Sequence, residues 1–311
     1  MVPVLLLALL PILVTPESSR PDFAPGREKA AARSAPGRWE IQALAAAWPD
    51  RIAETRVGDG EWMLRIGDQW FAWAHGRLLP EAERGRWRDF DPLEFYEYPA
   101  TLPELSPLDE ETAARLRQYV RDEVNHPRRR SEAFLSRLLD AGSRADTEAH
   151  VVTMEVAGFT VTVHEALKDP LTRVSGDLWA LRRRDPEVDA FFRGLVEMNG
   201  YNYRFVEGTR SRSLHSYGLA VDLIPRSYGR LQTYWLWASN RTPSWWSIPY
   251  QQRWMVPQPV VHAFERQGFV WGGKWLFFDT MHFEYRPDLV RSAEARIRPG
   301  PARWGDLPPA D

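Results

Sequence analysis

The spacing of hydrophobic positions changes several times along this 311-residue chain, and each change predicts a different kind of segment. Residues 1–14 are almost wholly apolar, but they carry two prolines and fall short of the roughly 20 residues that a membrane-spanning helix needs. We therefore expect residues 1–20 to be a secretory signal peptide or a membrane anchor. Residues 21–37 are rich in Pro, Ala, Ser and Arg without an apolar period, which is typical of a linker. Residues 292–311 are rich in Arg, Pro and Gly and are expected to form a loosely held tail.

The next segment shows the two-residue alternation of β structure. Residues 61–79 contain two strand-like runs around Gly67 and Asp68, which predicts a β-hairpin. We place this hairpin in a small accessory module over residues 38–105. Core packing is the favoured role of its tryptophans, because buried aromatics at strand spacing are commoner than sugar-stacking ones. These tryptophans are Trp62, Trp70 and Trp73.

Capping signals predict two helices further along the chain. Ser106, followed by Pro and a group of acidic residues, predicts a helix that runs to about Val124, within a helical connection over residues 106–149. Asp185, followed by Pro, predicts a second helix that continues through Met198.

Strand-like runs surround the polar residues of greatest interest. Residues 151–163 predict a strand, and the apolar run 219–224 predicts another from which Asp222 projects. His215 lies on the turn just before that second strand. Gly218 is the natural residue where this turn needs unusual backbone angles or a close approach.

A third predicted strand brings a second histidine to the same region. Over residues 279–285, two-residue alternation places His282 and Glu284 on one face. Two neighbouring strands can thus offer His215, Asp222 and His282 to one ion, and hydrolytic zinc takes such a set when its fourth position is open. The non-haem iron(II) oxygenases use the same ligand types, but there the carboxylate closely follows the first histidine, whereas here it lies seven residues on.

Composition and charge narrow the function classes. Hydrophobic residues make up 44% and charged residues 26% of the chain, which is ordinary globular usage. The formal net charge of -2 gives the protein no overall electrostatic attraction to nucleic acid, so we expect no nucleic-acid partner. The absence of cysteine excludes thiol catalysis and cysteine metal ligands.

The residues around the first histidine resemble a known family. Ser213, His215, Gly218, Ala220 and Asp222 stand at every fixed position of the motif Ser-x-His-x-x-Gly-x-Ala-x-Asp. This motif is that of the VanY-type zinc D-alanyl-D-alanine carboxypeptidases, which are related to the D-Ala-D-Ala dipeptidases, the L-alanyl-D-glutamate endopeptidases and the Hedgehog signalling domain. The resemblance covers roughly residues 150–291, which would form the zinc peptidase domain. It implies an α+β fold with a small antiparallel sheet flanked by helices.

The resemblance also implies a role for each motif residue. His215, Asp222 and His282 would hold Zn²⁺, while Asp279, three residues before the last histidine, would be the general base. Glu284 would rank below Asp279 as a base and could instead support a ligand imidazole.

A substrate carboxylate would be held by Ser213 and by an upstream arginine, for which we choose Arg204 over Arg210 and Arg212. The implied partner is a peptidoglycan stem peptide, and the implied location is periplasmic or otherwise outside the cytoplasm.

Two questions stay open at this stage. In the carboxypeptidases the base is commonly Glu, whereas the Asp found at position 279 is usual in the L-alanyl-D-glutamate endopeptidases. The cleaved bond is therefore undecided: D-Ala-D-Ala carboxypeptidase action is preferred, and L-alanyl-D-glutamate or crossbridge endopeptidase action is the alternative. A non-catalytic wall-binding module of the same fold is a further alternative. The aromatic-rich residues 228–257 are expected to form either a wall for the substrate or a local core.

Overall fold

The structure is a computed structural model. It describes residues 35–93, 95–105, 107–123, 129–206 and 210–295. The predicted signal or anchor segment lies outside the described residues, as do residues 21–34 of the predicted linker and residues 296–311 of the predicted tail. The architecture is α+β, with small antiparallel sheets flanked by helices, which confirms the predicted fold class.

A helix and a four-stranded antiparallel sheet form the N-terminal part. They are α1 Arg38–Ala47, β1 Ile52–Gly58, β2 Glu61–Ile66, β3 Gln69–Ala72 and β4 Leu79–Pro80. Strands β2 and β3 form the predicted hairpin, and Gly67 at its turn has a positive φ of 59° that suits glycine. Trp73 is buried, while Trp70 is half-buried with the guanidinium of Arg56 3.9 Å from its ring centre.

Short elements connect this sheet to the rest of the chain. They are β5 Phe90–Asp91, α2 Glu110–Glu123, β6 Arg129–Arg130, α3 Ala133–Leu138 and α4 Arg144–Ala149. Helix α2 begins later than predicted, and the residue that caps it is Asp109, whose Oδ1 accepts from the Thr112 N–H at 2.7 Å. Ser106, the predicted cap, lies outside the described residues.

In the next part of the chain, two predicted elements have different boundaries in the structure. They are β7 Val151–Val156, β8 Phe159–His164, α5 Lys168–Arg184, α6 Pro186–Gly194 and β9 Leu195–Asn199. The predicted strand over 151–163 is a hairpin, because Ala157 and Gly158 turn the chain with φ of 51° and 92°. The predicted helix from Asp185 ends at Gly194, and Met198 instead pairs with Leu223 in a sheet.

The remaining elements carry the polar residues of interest. They are β10 Ala220–Pro225, α7 Trp235–Ser239, α8 Gln258–Glu265, β11 Phe269–Trp271, β12 His282–Tyr285 and α9 Pro287–Ala295. Strands β11, β12, β10 and β9 form an antiparallel sheet in that order, so β10 and β12 are central neighbours. Asp279 precedes β12 rather than lying within the predicted strand.

One hydrophobic cluster extends through both main sheets. It includes Leu64 and Phe71 from the N-terminal sheet, Leu171 from α5, and Val221 and Phe283 from the central strands. These buried side chains hold β10 and β12 on a rigid base. Among the described residues, no helix combines the length and hydrophobicity required to cross a membrane.

Candidate metal centre

A tight turn holds His215 in place. Residues Leu214–Tyr217 form a single 3₁₀ turn that Ser213 begins and Gly218 ends. Gly218 has φ 67°, and a Cβ at this position would lie 2.5 Å from the backbone nitrogen of His164, so only glycine fits. This turn holds the buried ring of His215 just before β10.

Sheet register brings the other two residues together. Asp222 on β10 and His282 on β12 are direct cross-strand partners. His282 Nδ1 lies 2.8 Å from Asp222 Oδ1, and His215 Nε2 lies 3.2 Å from Asp222 Oδ2. The two imidazole nitrogens are 3.2 Å apart. Three potential ligand atoms thus converge on one point.

The donor set fits zinc. Tetrahedral zinc with bonds of about 2.0–2.1 Å to nitrogen separates neighbouring ligand atoms by about 3.3 Å, close to the spacing seen here. Within the described part of the chain, His215, Asp222 and His282 are the group whose ligand atoms all lie within 4.8 Å of one another. Two imidazoles and one carboxylate would leave a fourth position open.

Each imidazole has an acceptor for its other nitrogen. His215 Nδ1 lies 2.6 Å from the Gly200 carbonyl oxygen, and His282 Nε2 lies 3.0 Å from Glu284 Oε1. Donation of an N–H to these oxygens leaves the inward nitrogens of both rings as lone-pair ligands. Glu284 is therefore a support for the His282 ring. The Gly200 carbonyl was not predicted, because its role depends on the main-chain path and not on a side chain.

The local electrostatics favour a cation. Burial alone would raise the pKa of Asp222, but the charges and hydrogen bonds of His215 and His282 hold that pKa well below its usual range. Burial would lower the pKa of His282, yet its contacts with Asp222 and Glu284 raise it well above the usual value. The two carboxylates that favour a proton on His282 favour a divalent metal in the same way.

Asp279 lies next to this group on a tight loop. Its N–H donates to the Gly272 carbonyl at 3.1 Å, and its carbonyl accepts from the His282 N–H at 3.3 Å. A Cβ on Gly272 would lie 2.4 Å from the Asp279 carbonyl oxygen, so glycine allows this loop to close.

The Asp279 carboxyl is unusual for an acidic side chain. Its Oδ1 is buried and has no hydrogen-bond partner among the described residues. Burial raises the pKa of Asp279 to about 7, with His282 opposing and Asp222 adding to the rise. A carboxyl with this pKa can accept and return a proton near neutral pH.

The predicted substrate-binding residues are placed differently from one another. Ser213 is buried beside the metal group, where its Oγ accepts from the His215 N–H at 3.3 Å. Arg204 is exposed, and its backbone N–H donates to Ser216 Oγ at 2.7 Å. Arg210 is also exposed.

Arg212 has a structural role. It is buried, and its guanidinium donates to the carbonyls of Ala141 at 2.9 Å and Ser216 at 3.0 Å. It also lies 3.9 Å from the ring centre of Tyr217. These contacts tie the His215 turn to the region after α3.

The aromatic-rich residues 228–257 divide into two parts. Trp245 and Trp246 are buried in a local core with Phe278, whereas Trp237 is half exposed. Tyr228 was not predicted as a site residue, yet its hydroxyl lies 2.9 Å from Met281 Sδ. Burial, followed by the charges of Asp222 and Asp279, raises the pKa of Tyr228.

Comparison with known families adds to this geometry. Residues 207–285 match the family model of D-alanyl-D-alanine carboxypeptidases. The matched segment contains Ser213, Asp279 and all three residues of the metal group, and it supports a zinc-dependent metallopeptidase of the D-Ala-D-Ala carboxypeptidase type.

The N-terminal sheet lies outside the residues that match the carboxypeptidase model. Residues 40–95 match a second family model, described as a domain of unknown function. Neither the curated proteins nor the solved structures contain a significant match to this chain.

Proposed function

We propose that this protein is an exported zinc metallopeptidase that hydrolyses peptidoglycan stem peptides, and that it acts as a D-alanyl-D-alanine carboxypeptidase. The observation that carries the proposal is the convergence of His215, Asp222 and His282 beside the buried carboxyl of Asp279. All four residues lie in the segment that matches the carboxypeptidase family.

The chemistry divides between the metal and the chain. A zinc ion held by His215, Asp222 and His282 would polarise the scissile carbonyl and lower the pKa of a bound water toward about 7. Asp279 Oδ1 accepts a proton from the water that attacks the scissile carbonyl and then donates it to the leaving amine. Its pKa of about 7 permits both transfers. Ser213 contributes a hydroxyl beside His215 that can donate to a substrate carboxylate.

A second peptidase activity is favoured by the type of residue at position 279. Aspartate at the base position is usual in the L-alanyl-D-glutamate endopeptidases that the chain resembles. Aspartate is one methylene shorter than glutamate, so its carboxyl reaches less far from the backbone. The endopeptidase reaction is therefore the alternative that the first experiment must distinguish.

Mass spectrometry of products decides between these activities. The zinc-loaded full-length protein is incubated with purified muropeptides that carry the complete pentapeptide stem. Loss of a single alanine supports the carboxypeptidase, while release of a longer peptide supports the endopeptidase. Unchanged muropeptides would refute both, provided that metal analysis shows the protein to be loaded.

Matched variants assign the activity to the proposed site. Asp279→Asn removes the base with little change in shape, and Asp177→Asn alters an exposed carboxylate on α5 that pairs with Arg266. We expect the first variant to lose hydrolysis and the second to retain it. Equal hydrolysis by both variants would exclude Asp279 as the base.

Export rests on residues 1–20, which lie outside the described residues. We expect the full-length chain to be found outside the cytoplasm and a variant without residues 1–20 to remain inside. Recovery of the full-length chain in the cytoplasmic fraction would contradict export without affecting the peptidase proposal.

A further inference from the structure

A pocket of about 230 Å³ lies at the beginning of the aromatic-rich segment. Its lining includes Tyr228, Arg230, Leu231, Thr233, Trp237 and Arg241. Two of these six residues are arginines, and no acidic residue of the described chain lines the pocket. The pocket is therefore a concave site of positive charge with an aromatic wall.

Both arginines are available to a ligand. Arg230 and Arg241 are exposed, and neither guanidinium forms a hydrogen bond or an ion pair with any residue that the structure describes. Most other arginines around the molecule have such partners, as Arg253 does with the Ile248 carbonyl at 3.0 Å. Two unpaired guanidiniums in one concavity are suited to bind a carboxylate.

The aromatic wall of the pocket is also exposed. Trp237 has 50% of its surface accessible, and its ring packs edge-on against Tyr234 at 5.6 Å between ring centres. Leu231 is 40% accessible. A peptide whose carboxylate reaches the arginines can therefore cover apolar surface with its neighbouring atoms.

Main-chain hydrogen bonds hold the pocket in shape on two sides. The Gln232 N–H donates to the Gln252 carbonyl, and the Gln232 carbonyl accepts from the Trp254 N–H, both at 2.8 Å. On the other side, the Thr233 carbonyl accepts from the Thr280 N–H at 2.8 Å. The pocket wall is thus fixed to the residue that directly follows Asp279.

One residue that lines the pocket also contacts the loop before His282. Tyr228 lines the pocket, and its hydroxyl lies 2.9 Å from the Sδ of Met281, the neighbour of His282. The pocket therefore borders the loop that leads from Asp279 to His282.

We propose that this pocket binds a carboxylate of the peptide substrate through Arg230 and Arg241, and thereby selects which stem peptides reach the metal centre. The proposal rests on the peptidase function proposed above and deepens it. The carboxylate has two possible sources in a stem pentapeptide, namely the free α-carboxylate of its D-glutamate and the C-terminal carboxylate.

Three matched pentapeptides distinguish the sources. The first is unmodified, the second has the D-glutamate α-carboxylate amidated, and the third has the C-terminus amidated. The zinc-loaded full-length protein is compared with Arg230→Gln and Arg241→Gln, both at exposed positions. Arg183→Gln, at an exposed arginine on α5, is the matched control.

We expect each pocket variant to raise KM for the unmodified peptide about tenfold with little change in kcat, the size expected for loss of one charge-assisted hydrogen bond. The peptide that lacks the recognised carboxylate should show the same KM with the pocket variants as with the wild type. The amidated peptide for which the KM difference between wild type and variants disappears identifies which carboxylate the pocket binds. Unchanged KM values for all three peptides in both variants would overturn the proposal.

A binding measurement separates this proposal from the peptidase function. Isothermal titration of the three peptides into each zinc-loaded protein reports affinity without turnover. If the wild type hydrolyses none of the peptides, the peptidase function fails, while weaker binding of the unmodified peptide to Arg230→Gln still supports the pocket. Equal affinity in all proteins, or no binding to the wild type, would refute the pocket.

Discussion

Asp222 and His282 are direct partners across strands β10 and β12, and their side chains meet with 2.8 Å between Asp222 Oδ1 and His282 Nδ1. Sixty residues of chain separate the two positions, so the sheet register creates this contact. A shift of the register by one residue would turn His282 to the opposite face of the sheet. The metal group therefore depends on the packing that fixes these two strands.

Replacement of His215 by alanine should abolish stoichiometric zinc binding. The variant keeps only one imidazole and one carboxylate of the three converging donors, too few for a site of this type. Metal content is measured after dialysis against a weak chelator. His262→Ala is the control, since His262 is exposed on α8 and outside the metal group. Full zinc content in His215→Ala would remove this histidine from the ligand set.

Replacement of Asp279 by asparagine should leave zinc binding intact and reduce kcat by about 10²–10⁴, the range for loss of a general base. The carboxyl is outside the group of three ligand residues, and its Oδ1 has no partner among the described residues. Peptide hydrolysis and metal content are measured on the same sample. Asp279→Glu, which keeps a carboxyl, should recover part of the activity. A loss of zinc in Asp279→Asn would instead make this residue a ligand.

Replacement of Glu284 by glutamine should weaken zinc binding by about 10–100-fold, as is typical for partners of ligand histidines. Glutamine loses the charged acceptor that lies 3.0 Å from His282 Nε2. Zinc affinity is measured by competition with a chromophoric chelator. Glu165→Gln is a close control, because Glu165 pairs with His150 at 2.9 Å at an exposed position away from the metal group. Unchanged affinity in Glu284→Gln would contradict a supporting role.

Replacement of Gly218 by alanine should lower the free energy of unfolding by about 3 kcal/mol or more, since it combines backbone strain with a steric clash. The new Cβ would lie 2.5 Å from the His164 backbone nitrogen. Gly229→Ala is the control, with a similar φ of 60° but open space around its Cβ, and should cost only about 1–2 kcal/mol. Urea denaturation of both variants tests the difference, and equal losses would exclude the clash.

The stability of the protein should fall as the pH drops below about 6.5, the usual pKa of histidine, partly because of His164. Burial lowers the pKa of His164 in the folded state. Its Nε2 faces the Leu139 carbonyl at 3.0 Å, and its Nδ1 accepts from the Ala166 N–H at 3.2 Å, so the neutral ring fits. The unfolded chain therefore binds a proton more readily than the folded one.

Urea denaturation at pH 7.5 and at pH 5.5 measures this effect. His164→Gln should show a smaller loss of stability between the two pH values than the wild type. His262→Gln should show the wild-type loss, because His262 is exposed. The same loss in all three proteins would show that His164 does not contribute.

The sequence by itself determined those features that depend on neighbouring residues. The hairpin around Gly67 and the strand that carries Asp222 follow from local alternation of apolar and polar residues, and both are present. The turn at Gly218 also follows from the residue type, since its φ of 67° suits glycine. The α+β class and the motif residues could likewise be found without coordinates.

Sequence patterns failed where distant contacts compete with local preference. Residues 195–199 continue an apparently helical pattern, yet they form β9, because Met198 pairs with Leu223 and is buried there. The start of α2 was predicted too early for a local reason, because Asp109 and not Ser106 provides the cap in the folded chain. The free energy that a residue gains from its local helix propensity is smaller than the free energy gained when an apolar side chain is buried in a sheet.

Only the tertiary structure decided how the polar groups act. The Gly200 carbonyl that faces His215, the raised pKa of Asp279 and the main-chain bonds that hold the pocket of Arg230 and Arg241 all depend on contacts that form only when the chain folds. Burial, charge and hydrogen bonding act through distances in space, and packing of the whole chain sets those distances. The residue types were readable from the sequence, whereas their protonation and their partners were determined by the fold.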